Sequence, residues 1–203
     1  MNTVVVSGNE VTPSKVVCVG RNYVEHIKEL NNEIPTSMVL FMKPNSAISS
    51  NLSTQDIELH YEGELSFLIK DSKISAVGFG LDLTDRTLQS KLKKSGLPWE
   101  RAKAFDGAGV FSEFVNISEE EIGSLNLKLY INDELVQIGG VELMIYAPSV
   151  ILDEISSFCT LEDGDIVMSG TPKGVGTFKK EDIFRGEIYI GDKLAVSKTW
   201  IAV

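Results

Sequence analysis

Glu62 and Glu64 stand two residues apart in His60-Tyr61-Glu62-Gly63-Glu64-Leu65, and Asp82 follows in Gly80-Leu81-Asp82-Leu83-Thr84. Residues i and i+2 of a strand share a face, so a strand running on through Leu65-Ser66-Phe67-Leu68-Ile69 projects both glutamates side by side. Like charges that close raise each other's proton affinity unless a cation lies between them. Asp82 closes a second apolar run, 77–83, that can lie beside the first. Three carboxylates on a rigid sheet suit a hard divalent cation that keeps positions open for water or substrate. The competing expectation is an edge strand with solvated glutamates and an Asp82 that caps the helix starting near Thr84.

A second constellation lies in Cys18-Val19-Gly20-Arg21-Asn22-Tyr23-Val24-Glu25-His26-Ile27-Lys28-Glu29. It reads as a strand, a glycine turn and a short helix. His26 and Glu29 are i, i+3 neighbours on one helical face. A carboxylate beside an imidazole fixes its tautomer and raises its basicity, as a general base requires. The chain has 2 histidines, and both fall inside these motifs. Lys43, Arg86, Gln89 and Lys103 lie near the same segments, where each could equally be solvated. Gly170-Thr171-Pro172-Lys173-Gly174-Val175-Gly176-Thr177 is glycine-rich but lacks the Gly-Lys-Ser/Thr ending of a phosphate loop. It suits a tight loop whose backbone N–H groups face a small carboxylate.

The elements that must position these groups are mostly strands, expected at 15–19, 38–42, 57–60, 64–69, 77–83, 125–131, 135–138, 165–169, 186–190 and 194–200. Asn132-Asp133 and Gly191-Asp192 mark hairpin turns. Helical spacing is seen at 22–30, at 84–95 with Leu88 and Leu92, and at 149–158 with Val150, Ile151, Ile155 and Phe158 on one side. Strands outnumber helices without regular alternation, which argues against a doubly wound fold. The expectation is one mixed α+β, β-rich domain spanning 1–203.

Bulk properties narrow the partners. A net charge of −10 and a pI near 4.7 argue against a nucleic-acid partner, which needs a positive face. No apolar stretch approaches membrane-spanning length, and nothing N-terminal looks like a signal peptide, so a cytoplasmic protein is expected. The 2 cysteines form no disulfide framework, and Cys18 reads as a buried thiol.

Taken in order, the segments resemble the fumarylacetoacetate hydrolase family, in its short single-domain branch of acylpyruvase-like and oxaloacetate-handling enzymes. The matching pieces are Val17 to Tyr23 with His26, Phe41-Met42-Lys43-Pro44, His60 to Leu65, Leu81 to Thr84 with Arg86 and Gln89, Gly96-Leu97-Pro98-Trp99 with Lys103, and Gly170 to Gly176. The resemblance implies a mixed β-sandwich roll with a few short helices, usually a homodimer. It also implies Mg²⁺ or Mn²⁺ on Glu62, Glu64 and Asp82. His26 and Glu29 match the family's water-activating pair on a lid helix, with Lys103 as a further catalytic group. Arg21, Lys43, Arg86, Gln89 and Thr171 match substrate-facing positions. Two stretches depart from the family: Thr84-Asp85-Arg86-Thr87 replaces Thr-Ala-Arg-Asp, and Phe105 to Gly109 matches loosely.

The chemistry that fits is enolate chemistry on a small 2-oxo acid, whose carboxylate and keto oxygens a divalent cation can chelate. Hydrolysis of acylpyruvates such as fumarylpyruvate is the leading expectation, because His26 and Glu29 are both present. Oxaloacetate keto-enol tautomerisation or decarboxylation is the alternative. A non-catalytic metal-binding β module is more remote, since closed structural sites supply more protein oxygens than an open triad.

Overall fold

The protein, seen here as a computed structural model, is described at residues 1–29, 36–55 and 57–203. In chain order its strands are β1 Val4–Val6, β2 Asn9–Val11, β3 Lys15–Gly20, β4 Val39–Pro44, β5 Ile48–Ser49, β6 His60–Tyr61, β7 Gly63–Lys70, β8 Lys73–Asp82, β9 Gly109–Phe111, β10 Val115–Asn116, β11 Leu125–Ile131, β12 Glu134–Gly140, β13 Ile166–Met168, β14 Gly176–Thr177, β15 Ile183–Ile190 and β16 Lys193–Ile201. The helices are α1 Val24–Glu29, α2 Arg86–Lys94, α3 Glu100–Lys103 and α4 Pro148–Ser156.

An 8-stranded mixed sheet runs β4-β3-β13-β7-β8-β9-β5, with β10 also on β8, and a 4-stranded antiparallel sheet runs β12-β11-β15-β16. Strands β3 and β13 pair in parallel, as do β5 and β9. The period of two sorts the large sheet into two buried faces. Leu65, Phe67, Ile69, Val77, Phe79 and Leu81 point into a core shared with Leu125, Leu127, Leu129, Phe184, Ile188 and Trp200 of the small sheet. The opposite face carries Val16, Cys18, Phe41, Leu68, Ala76 and Met168. Glu64 and Asp82 belong to that second face by alternation, at the end where β7 starts and β8 stops.

The β-rich class and the single-strand expectations hold for most runs, including both marked hairpins. Asn132 and Asp133 adopt φ of 51° and 66°, as a primed turn needs. The 57–60 run is a correction: only His60–Tyr61 forms a strand, on Gly176–Thr177. So is the 149–158 face, where Ile151 and Ile155 are buried but Val150 and Phe158 are 47% and 57% exposed. Helix α1 starts at Val24, and the expected Leu30 end lies outside the described residues. Among the described residues, no helix is long and apolar enough to cross a membrane.

Candidate active site and metal centre

The antiparallel β7–β8 pair builds the acidic cluster. Gly63 faces Leu81, and the ladder continues beyond it as Asp82 N–H donates to the Glu62 carbonyl at 2.9 Å. The three carboxylates meet with ligand oxygens within 4.8 Å of one another, all buried. Gly63, between the two glutamates, faces the other way: a Cβ there would stand 2.9 Å from Phe79 Cζ and from Gln137 Oε1. The Glu-Gly-Glu spacing therefore gives two acids on one face and close sheet packing on the other. The capping alternative for Asp82 falls away, because Asp85 is the N-cap of α2, accepting from Leu88 N–H at 2.8 Å.

The protein's own cations cover the triad unevenly. Lys103 Nζ donates to Glu62 Oε2 at 2.9 Å, Asp82 Oδ2 at 2.6 Å and Thr84 Oγ1 at 2.6 Å. Arg86 Nη2 donates to Glu62 Oε1. Glu64 has only the Gly170 N–H, at 2.8 Å, and among the described residues no ion pair. The carboxylates respond accordingly. Burial alone would raise Glu62, but Lys103, Arg86 and His26 hold it far below the usual range. Burial, then Asp82 and Glu62, push Glu64 well above it. Burial works against the Lys103 charge, yet Asp82 and Glu62 hold its ammonium above the ordinary lysine value. Asp82 Oδ1 accepts no well-directed hydrogen bond although Lys43 Nζ lies 2.8 Å away. An under-compensated Glu64 and an unsatisfied Asp82 oxygen fit a divalent cation seated among the three acids.

Helix α1 carries the expected base, His26, to the same place. His26 is 5% exposed, and its Nδ1 lies 3.3 Å from Glu29 Oε2. Burial, set against the pull of Glu62 and Glu29, holds the imidazole below its ordinary value. The root of α1 is pinned by Asn22, whose Nδ2 donates to the Ser169 carbonyl at 2.8 Å and the Tyr146 carbonyl at 3.1 Å. The 170–176 loop turns its N–H groups on carboxylates, as expected, but on the protein's own: Gly170 on Glu64 and Gly174 on Glu29 Oε1 at 3.0 Å.

Gly20, Arg21, His26, Phe41, Glu62, Arg86, Gln89, Lys93, Trp99 and Lys103 line one cleft beside the triad. It thus gathers His26, Lys103, Arg21, Arg86 and Gln89 of the expected residues. Lys43 and Thr171, expected to face substrate, are not among the residues that line it. Lys43 is fully buried and spends its ammonium on Asp82 and the Lys103 carbonyl, so it braces a carboxylate rather than meeting solvent. The Thr171 hydroxyl donates to the Gly63 carbonyl at 2.9 Å and accepts from Gln137 Nε2 at 2.9 Å, fixing the loop. A surface depression of about 1020 Å³ lies by Asn2, Asn45 and Asp106 and holds none of this chemistry.

Sequence reading missed Lys93, Trp99, Asn22 and Gln137 as parts of the site. Lys93 had a signal: it follows Arg86 by seven and Gln89 by four, the spacing of one helical face. Gln137 had none, being a polar residue inside an apolar strand whose burial is set by the neighbouring loop.

A family profile described as fumarylacetoacetate (FAA) hydrolase C-terminal matches residues 15–197. The chain belongs to the fumarylacetoacetate hydrolase family. An Escherichia coli relative named oxaloacetate tautomerase is 38% identical over 187 residues, covering 83% of this chain and 85% of that protein. A solved structure from Oleispira antarctica, itself assigned provisionally as a fumarylacetoacetate isomerase/hydrolase, superposes with TM-score 0.93 at 34% identity over the full length of both chains. Fumarylpyruvate hydrolase from Pseudomonas aeruginosa, in complex with Mn²⁺ and pyruvate, gives TM-score 0.89 at 25% identity, covering 100% of this chain and 95% of that one. The β-rich roll expected from the family is the fold observed, and the chain sits in a family of enzymes.

Proposed function

We propose that this protein is an oxaloacetate keto-enol tautomerase dependent on Mg²⁺ or Mn²⁺. The relative named oxaloacetate tautomerase, similar along most of both chains, favours this over the hydrolysis expected first. Glu62, Glu64 and Asp82 would hold the divalent cation, which would supply Lewis acidity to a bound 2-oxo acid. The remaining chemistry is a proton shift. Enol and keto oxaloacetate differ in the position of one proton, which leaves the enol oxygen and arrives at carbon 3, with no water consumed.

His26 suits that shift. With Nδ1–H directed at Glu29, Nε2 is left as the acceptor, and burial keeps the ring neutral. Nε2 takes the enol proton and returns it at carbon 3. Lys103, held protonated by Asp82 and Glu62, offers positive charge to an oxygen that becomes anionic during the transfer. Arg86 and Gln89, joined by an Nη1–Oε1 hydrogen bond of 2.9 Å, orient the substrate from α2. Assembly as a homodimer belongs to the same proposal through the family likeness.

The His26–Glu29 pair favours one second reading. The same Nε2 could deprotonate water for attack on the distal carbonyl of an acylpyruvate, and the fold neighbour bound to Mn²⁺ and pyruvate is named for such a reaction. A side-by-side assay with and without EDTA decides between them. Freshly dissolved enol-oxaloacetate should be ketonised with kcat/KM at least tenfold above that for acylpyruvate hydrolysis, and chelation should abolish both. The reverse ranking would make the protein a hydrolase.

A further inference from the structure

Helix α2 presents Arg86, Gln89 and Lys93 to the cleft at i, i+3 and i+7. Arg86 is committed to Glu62 and Gln89, and Lys103 to Glu62, Asp82 and Thr84. Lys93 stands apart. Its ammonium lies 4.6 Å from the centroid of the Trp99 ring, and among the described residues no carboxylate is within ion-pair distance of it. Burial, followed by repulsion from Arg21, Arg86 and Lys103, pushes its pKa down to about 8. A half-buried cation in that position gains most from an anion entering the cleft.

The proposed enol chemistry accounts for one substrate carboxylate, the one beside the keto group, at the triad. It leaves Lys93 without an anion. We propose that Lys93, seated on the Trp99 face, receives a second carboxylate of the substrate, so that the cleft selects 2-oxo acids with two carboxylates over those with one. The assignment rests on the 2-oxo acid reading above, and it makes α2 the specificity element.

The 4-methyl ester of oxaloacetate lacks the distal negative charge and adds one methyl group, so the neutral Lys93 variants separate the charge effect from the added bulk. Ketonisation kcat/KM and calorimetric affinity with Mn²⁺ present would be measured for both compounds on the wild type, Lys93→Met, Lys93→Gln and Lys93→Arg. The wild type should prefer the diacid roughly 10- to 100-fold, the worth of one charge-assisted hydrogen bond. Lys93→Met and Lys93→Gln should shrink that preference to within about threefold, and Lys93→Arg should restore most of it. A preference that survives both neutral variants, or a wild type with none, overturns the assignment. If no form turns over either compound while the affinity preference still collapses in Lys93→Met, the Lys93 receptor stands and the tautomerase reading falls.

Discussion

The proposed tautomerase needs His26 as a neutral imidazole, and its surroundings decide over what pH range that form persists. Burial holds its pKa below the ordinary 6.5, so protonation removes the base only at lower pH. The acidic limb of kcat/KM should therefore have its midpoint below 6.5, since activity belongs to the deprotonated side. A midpoint above that value would place the titration elsewhere. His26→Ala should cut kcat/KM about 10²- to 10⁴-fold while Mn²⁺ affinity, read by calorimetry, stays within a fewfold of wild type. Turnover at the wild-type level in that variant would remove His26 from the proton path. At this scale the triad and the His26–Glu29 pair were legible, because their meaning lies in local spacing. Lys43 was not: Phe41-Met42-Lys43-Pro44 shows a lysine on a strand, but only the pairing of β4 with β3 buries it against Asp82.

Helix α2 is positioned by its N-cap residue. Asp85 accepts the Leu88 N–H, and this explains why Thr84-Asp85-Arg86-Thr87 can depart from the family's Thr-Ala-Arg-Asp and still place Arg86 and Gln89 in the cleft. Asp85→Ala should lower stability by about 1 kcal/mol in urea unfolding, and Asp85→Asn by only a few tenths, since asparagine caps as well. Equal losses in the two would show that the cap bond does not hold the helix start. Long alternating or apolar runs such as Leu125–Ile131 were readable as strands because each carries its own pattern. The short β5 and β9 were not, since two or three residues carry no period and their parallel pairing joins segments sixty positions apart in sequence. The β7–β8 pairing was expected from its two apolar runs, but its turn was not, because Asp71 and Ser72 take φ of 51° and 60° without a glycine to announce it. Four-residue α3, which delivers Lys103, is too short for helical periodicity to show.

Across the whole molecule, one sheet serves two purposes, packing on the small sheet with one face and carrying the acids on the other. The inter-sheet core is tight: a Cβ on Gly186 of β15 would stand 2.5 Å from the Phe79 ring of β8. Gly186→Ala should cost roughly 1–3 kcal/mol of stability by overpacking, measured by urea unfolding, and an unchanged midpoint would mean the sheets have slack. Because Phe79 lies on the strand that ends in Asp82, strain there should also weaken metal binding. The most direct test of the account is a Mn²⁺ titration of the intact protein by calorimetry, with Glu64→Gln alongside. One ion per chain should bind the wild type, and the isosteric variant, which keeps the fold but loses the carboxylate left to the cation, should bind at least 100-fold more weakly. Wild-type affinity in Glu64→Gln, or no saturable binding in the wild type, would contradict a cation held by Glu62, Glu64 and Asp82.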